Sequence, residues 1–277
     1  MIELMREAKA LGAQLVVFPE LALTTFFPRW YMEDQDEIDA FFETEMPSEE
    51  TLPLFQESAK LEIGFYLGYA ERVEEGGQTH HYNTSILVNR KGEITGKYRK
   101  IHLPGHNDHE PWRAFQHLEK RYFEHGDLGF GVFDEFEGRI GMCLCNDRRW
   151  PETFRVMGLK GAEMVTLGYN TPVHYPPAQQ HDHLQCFHNH LVMQAAAYQN
   201  GIWVVGVAKA GKEEDCELIG QSCIISPTGE ITAQCTTLED ELIVAKCDLD
   251  RCQEIQRNIF NFKLHRRPHD YQLISRE

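Results

Sequence analysis

The chain has 277 residues, 42% hydrophobic and 25% charged, enough to enclose one large core. Its formal charge of −16 argues against nucleic acid or an anionic membrane as a partner, since such contacts require clustered Lys and Arg. No apolar run approaches the roughly 20 residues that span a bilayer. The N-terminus shows no basic-then-apolar leader, which predicts a cytoplasmic address.

Residues 2–11 have helical periodicity stopped by Gly12, and residues 14–19 read as a short buried strand ending at Glu20. An apolar loop follows to Pro28, then an acidic segment and a helix from about Ser48, as N-cap, to Lys60. A strand over 63–70 precedes a hairpin of 82–89 and 94–98, which runs into Arg99-Lys100. The polar stretch 106–126 lacks periodicity, as functional loops often do, and carries Glu119. A second hairpin, 128–136 and 139–145, ends at Cys145, and Pro151 opens a helix to Leu159. Beyond it, strands are expected at 164–168, 202–208, 218–226 and 241–248. Helices are expected at about 182–200 and from Asp248 to about Asn261. With no repeat and no low-complexity linker, residues 1–277 read as one α/β domain.

Glu20, Lys100 and Cys145 each stand at the end of a predicted strand, where open α/β sheets place their chemistry. Hydrolysis of an unactivated C–N bond needs a nucleophile, a base, and a cation or donor for the developing oxyanion. A thiol, a carboxylate and an ammonium supply these in turn. Cys145 sits at a strand-to-helix corner, where backbone N–H groups and a helix N-terminus are expected to lower its pKa. Taken singly, a Glu near a strand end is a solvated surface residue, a Lys a surface charge and a Cys a core filler. Their shared placement carries the argument. Arg148 and Arg149 follow Cys145 directly, and arginine binds carboxylates in a two-pronged fork, although adjacent arginines on one turn cannot both face a pocket ideally. The eight cysteines lack C-x-x-C spacing and read as reduced thiols. The pairs His181/His183 and His188/His190 invite a zinc reading, but a helical i, i+2 pair does not converge on one ion. No metal is expected.

Phe18-Pro19-Glu20, Tyr98-Arg99-Lys100-Ile101-His102-Leu103 and Cys145-Asn146-Asp147-Arg148-Arg149-Trp150-Pro151-Glu152 resemble, in order, the three catalytic motifs of the nitrilase superfamily of carbon–nitrogen hydrolases. Residues 18–28, 145–159, 168–172, 180–183 and 259–262 are similar to its N-carbamoyl-D-amino acid amidohydrolases, the D-carbamoylases. The resemblance implies a four-layer α-β-β-α sandwich, a homodimer or homotetramer, and no organic cofactor. It implies Cys145 as nucleophile, Glu20 as general base, Lys100 with the Asn146 N–H as oxyanion stabiliser, and Glu119 as a second carboxylate near the thiol. Arg148, Arg149, Asn170 and Thr171 would hold the substrate carboxylate. His102 and His117 would bond to substrate or to the catalytic carboxylates.

The implied reaction converts N-carbamoyl-D-amino acids to D-amino acid, carbon dioxide and ammonia through a covalent adduct. Alternatives are an aliphatic amidase, a β-ureidopropionase-like enzyme, or a silent relative that serves as a binding or assembly module. Relatives usually open with one further strand and most of a helix; this chain is expected to lack that strand.

Overall fold

The structure is a computed structural model that describes residues 1–275. Its helices are α1 (Ile2–Ala10), α2 (Gln35–Asp39), α3 (Leu52–Leu61), α4 (Glu119–Tyr122), α5 (Pro151–Leu159), α6 (Gln185–Asn200), α7 (Arg251–Gln256) and α8 (Phe262–His265). The strands are β1 (Leu15–Val17), β2 (Gly64–Glu75), β3 (Gln78–Val88), β4 (Ile94–Arg99), β5 (Val132–Glu135), β6 (Gly138–Leu144), β7 (Met164–Tyr169), β8 (Trp203–Ala208), β9 (Ala210–Glu213), β10 (Cys216–Ile219), β11 (Cys223–Ile225) and β12 (Ile231–Gln234).

Two sheets form the middle of the molecule. The first runs β1-β2-β3-β4, with β1 parallel to β2 and the rest antiparallel. The second runs β12-β11-β8-β7-β6-β5, with a parallel centre of β6, β7 and β8 flanked by antiparallel strands. Met5 and Ala8 of α1 and Leu54 and Phe55 of α3 pack with Phe65, Leu67, Ile86 and Val88 on the outer face of the first sheet. Phe154 and Met157 of α5 and Met193 and Ala197 of α6 pack with the second sheet, whose core also takes Tyr66, Leu87 and Tyr98 from the first. The result is the expected α-β-β-α sandwich. Continuously buried strands such as β7 follow from cover on both faces.

Three expected elements differ. The strand expected at 218–226 divides into β10 and β11, because Gly220 and Gln221 take left-handed φ values of 58° and 60°. Residues 241–248 carry a strand-like pattern but pair with no strand among the described residues, so the ladder does not form. Ser48 is not the N-cap of α3; Thr51 holds that position without a side-chain cap bond, its Oγ1 accepting the Ser48 N–H at 2.8 Å instead. A further hairpin escaped the sequence reading: β2 and β3 join through Gly76-Gly77 at φ 61° and 80°, a two-residue turn matched to strand twist.

The contact between the sheets fixes the site. The chain leaving β1 inserts the Glu20 backbone between Gly68 of β2 and Gly168 of β7. A Cβ on Gly68 would lie 3.0 Å from the Glu20 Cα, and one on Gly168 2.3 Å from the Glu20 N. Only glycine leaves room on both sides. The buried Tyr66 hydroxyl locks this crossing, donating to the Cys143 carbonyl at 2.9 Å and accepting from the Gly168 N–H at 3.2 Å.

Candidate active site

Glu20 after β1, Lys100 after β4, Glu119 at the start of α4 and Cys145 after β6 converge at one end of the sandwich, all buried. Lys100 Nζ donates to Glu20 Oε1 at 2.7 Å and to Glu119 Oε2 at 2.6 Å. Ligand atoms of Glu20, Glu119 and Cys145 all lie within 4.8 Å of one another. Such a donor set suits a cation, and the Lys100 ammonium is the cation that occupies it. Asn83 of β3 completes the floor, its Nδ2 donating to Glu20 Oε1 at 2.9 Å. Sequence reading passed over Asn83, which stands in the polar run Asn83-Thr84-Ser85 of β3, whose burial the sequence does not reveal.

Electrostatics divides the two carboxylates. Burial raises the Glu20 pKa, and the Glu119 charge adds to that against the pull of Lys100. Glu119 is lowered: burial opposes its charge, but Lys100 and His117 together prevail, with His117 Nε2 at 3.2 Å from Glu119 Oε1. Lys100 is raised although burial opposes its charge, because Cys145, Glu119 and Glu20 surround it. A carboxylate with a raised pKa, facing a thiol, is a stronger proton acceptor than an ordinary one. Glu20 Oε2 has no hydrogen-bond partner among the described residues and is free for that task.

The thiol corrects one expectation. Its pKa is pushed up to about 11, chiefly by burial and then by the Glu20 charge, against Lys100 and Arg148. The corner after β6 is a 3-10 turn over Cys145–Arg149, and α5 begins only at Pro151, so no long helix aims its N-terminus at the sulfur. The resting group is a neutral thiol that needs a base. Cys145 itself holds a left-handed φ of 42°.

The two arginines differ sharply. Arg148 is buried and engaged within the protein: Nε donates to Asn189 Oδ1 at 2.9 Å, Nη1 to the Cys145 carbonyl at 2.6 Å, and Nη2 to Thr171 Oγ1 at 2.8 Å. Its guanidinium stacks over Tyr169 at 4.3 Å. It braces the nucleophile's peptide instead of offering an open fork. Arg149 is exposed on the pocket wall and makes no hydrogen bond or ion pair among the described residues. Crowding by protein and the neighbouring Arg148 charge lower its pKa to about 10, and it stays protonated at neutral pH.

The pocket above the thiol has a volume of about 490 Å³. Arg113, Arg148, Arg149, His106, His117, His181 and His188 line it with Asn146, Asn170 and Thr171, and among the described residues no Asp or Glu does. Asn170 is buried, with neither side-chain atom partnered. His102 does not reach this space. It stacks on Trp150 at 4.9 Å, and its Nδ1 lies 2.7 Å from Asp147 Oδ1, so it bonds neither to the floor carboxylates nor along the pocket. The two His-X-His pairs do not converge either: His181 and His188 line the pocket, and His190 Nε2 lies 3.4 Å from the Gln221 carbonyl.

This geometry agrees with comparison to known proteins. The carbon-nitrogen hydrolase family profile matches residues 1–257. The chain belongs to the carbon-nitrogen hydrolase family. A nitrilase of Pyrococcus abyssi is 33% identical over 247 residues, covering 89% of this chain and 81% of the relative. An N-carbamoylputrescine amidase of Arabidopsis thaliana is 32% identical over 285 residues, covering 98% and 87%. The fold matches a carbon-nitrogen hydrolase of Helicobacter pylori G27 with a TM-score of 0.84 at 24% identity, over 99% of this chain and 91% of that one. The hydrolase is thus a nitrilase-superfamily enzyme of α/β fold that acts on amides.

Proposed function

We propose that this hydrolase, one domain over residues 1–277, cleaves N-carbamoyl-D-amino acids to D-amino acid, carbon dioxide and ammonia. The observation that carries the reading is a pocket wall without Asp or Glu among the described residues, bearing an Arg149 guanidinium that none of them pairs. An anionic substrate gains there what a cationic one loses. The sequence resemblance to D-carbamoylases supports the choice of carbamoyl group and enantiomer.

In this mechanism Cys145 Sγ attacks the ureido carbon while its proton passes to Glu20. The oxyanion forms beside the Lys100 ammonium and the Asn146 backbone N–H. Collapse expels ammonia, which takes the proton back from Glu20, and leaves the carbonyl, still bonded to the amino acid nitrogen, on the sulfur as a thioester-like adduct. Glu20 then activates water, the C–S bond breaks, and the released N-carboxy amino acid loses carbon dioxide. Glu119 and His117 hold Lys100 in register. Arg149, Asn170 and Thr171 bind the substrate, while Arg148 keeps the Cys145 carbonyl in place. The step uses no metal or organic cofactor.

A second reading rests on the relatives. Several are named N-carbamoylputrescine amidase, which carries the same carbamoyl group on an amine. Ammonia release from N-carbamoyl-D-phenylalanine, its L-enantiomer and N-carbamoylputrescine separates the readings. The first substrate is expected to turn over fastest; preference for the putrescine compound would overturn the carboxylate assignment.

We also place the enzyme in the cytoplasm as a homodimer or homotetramer. Eight unpaired cysteines suit a reducing compartment. Exposed Leu159 of α5 and Phe187, Leu191 and Tyr198 of α6 support an apolar face that a second copy would cover.

A further inference from the structure

Asp147 is fully buried, does not line the pocket, and its carboxylate bonds to none of Glu20, Lys100, Glu119 and Cys145, yet it collects four donors. Oδ2 accepts the Tyr98 hydroxyl at 2.7 Å and the Leu144 N–H at 3.0 Å. Oδ1 accepts the His102 N–H at 3.0 Å and faces His102 Nδ1 at 2.7 Å. A carboxylate has about four acceptor positions, so its capacity is filled.

The origin of those donors matters. Leu144 immediately precedes Cys145 at the end of β6. Tyr98 and His102 stand two residues before and after Lys100, at the end of β4. A single side chain therefore ties the strand end bearing the thiol to the strand end bearing the ammonium. Neighbouring bonds close the junction: the Tyr98 oxygen accepts the Ile101 N–H at 3.1 Å, and Asn146 Nδ2 donates to the His102 carbonyl at 3.1 Å. Cys145 needs such a tie, because its left-handed φ persists only where surrounding structure over-determines it. On this side the Leu144 N–H is fixed by Asp147; on the other the Cys145 carbonyl is fixed by Arg148.

We propose that Asp147 is a positioning residue that sets the separation of the Cys145 thiol and the Lys100 ammonium, acting through Leu144, Tyr98 and His102. This rests on the reading of Cys145 as nucleophile but not on any choice of substrate. Asp147→Asn keeps the size but replaces one acceptor with an amino group that confronts donors. Tyr98→Phe removes one of the four bonds to Asp147, together with the Ile101 N–H contact, and tests the same brace should the first variant fail to fold.

Two readouts at a temperature well below each variant's Tm test the proposal. One is the rate of iodoacetamide alkylation at Cys145, followed by peptide mapping across pH. The other is kcat and KM for ammonia release from N-carbamoyl-D-phenylalanine. Misplacement of reacting groups by about 1 Å can cost about a hundredfold, so kcat is expected to fall roughly tenfold to a hundredfold in Asp147→Asn and severalfold in Tyr98→Phe, with KM nearly unchanged. The pH dependence of alkylation is expected to shift in both variants, since the Lys100 charge no longer sits at its set distance from the sulfur. A lowered Tm with parental kcat and a parental alkylation profile would assign Asp147 to fold stability alone and overturn the proposal. The alkylation arm holds even if the substrate is another amide.

Discussion

The floor and the wall of the pocket obey opposite rules. On the floor, Lys100 is held by two carboxylates, Asn83 bonds to Glu20, and His117 bonds to Glu119, so the charged groups are arranged before any substrate arrives. On the wall, Arg149 has no partner and Asn170 leaves both side-chain atoms unpaired. A buried polar group left unsatisfied costs about 1–3 kcal/mol, which a bound ligand can recover. The floor is preorganised for bond cleavage, and the wall is left open for recognition. Arg148 and Arg149, adjacent in sequence, fall on the two sides of this division.

Substitutions should reveal the division as a split between kcat and KM. Cys145→Ala removes the nucleophile and is expected to lower ammonia release by at least about a thousandfold with Tm nearly unchanged. Glu20→Gln is expected to cost about 10²–10⁴ in kcat. On the wall, Arg149→Ala is expected to raise KM for N-carbamoyl amino acids about tenfold while leaving a neutral amide almost unaffected. Equal effects on both substrates would remove Arg149 from carboxylate recognition. Asn170→Ala should raise KM only a few-fold, in keeping with loss of one or two neutral hydrogen bonds. Arg148→Ala should behave as a floor variant, lowering kcat and Tm more than it raises KM.

The pH dependence sharpens the same contrast. Glu20 must be ionised to accept the thiol proton, and its pKa is raised by burial. The acid limb of kcat is therefore expected above the ordinary glutamate range of about 4.3, with activity rising as pH rises through it. The thiol titrates at about 11, so direct alkylation of Cys145 should keep increasing well past the usual thiol value of about 8.5. A plateau at neutral pH would show a resting thiolate instead. Because the fold favours the neutral thiol, Cys145 contributes stability that is complete below the unfolded value and is lost as pH rises towards about 11.

The sequence made the floor legible because its parts are strand ends. Short apolar runs located β1 and β6 and a hairpin turn located β4, and Glu20, Lys100 and Cys145 are the first polar or reactive groups beyond them. What stayed hidden depends on three-dimensional surroundings. Whether a strand end lowers or raises a thiol pKa depends on burial and on which carboxylate faces it, and the 3-10 turn at Cys145 withheld the expected helix terminus. Which arginine would be saturated depended on Asn189 and Thr171, distant in sequence. The family resemblance assigned His102 to the substrate or the catalytic carboxylates, but its ring turns to Asp147. Residues 241–248 show the same limit: pattern alone names a strand, and only a neighbour makes one.

The account stands or falls on a covalent bond to one sulfur. Rapid acid quenching of the enzyme during turnover of N-carbamoyl-D-phenylalanine, followed by peptide mass analysis, would trap the adduct. An adduct with the mass of N-carbamoyl-D-phenylalanine less ammonia on the peptide containing Cys145, absent after Cys145→Ala, is the predicted result. Turnover with no adduct there, or an adduct on another of the eight cysteines, would contradict it.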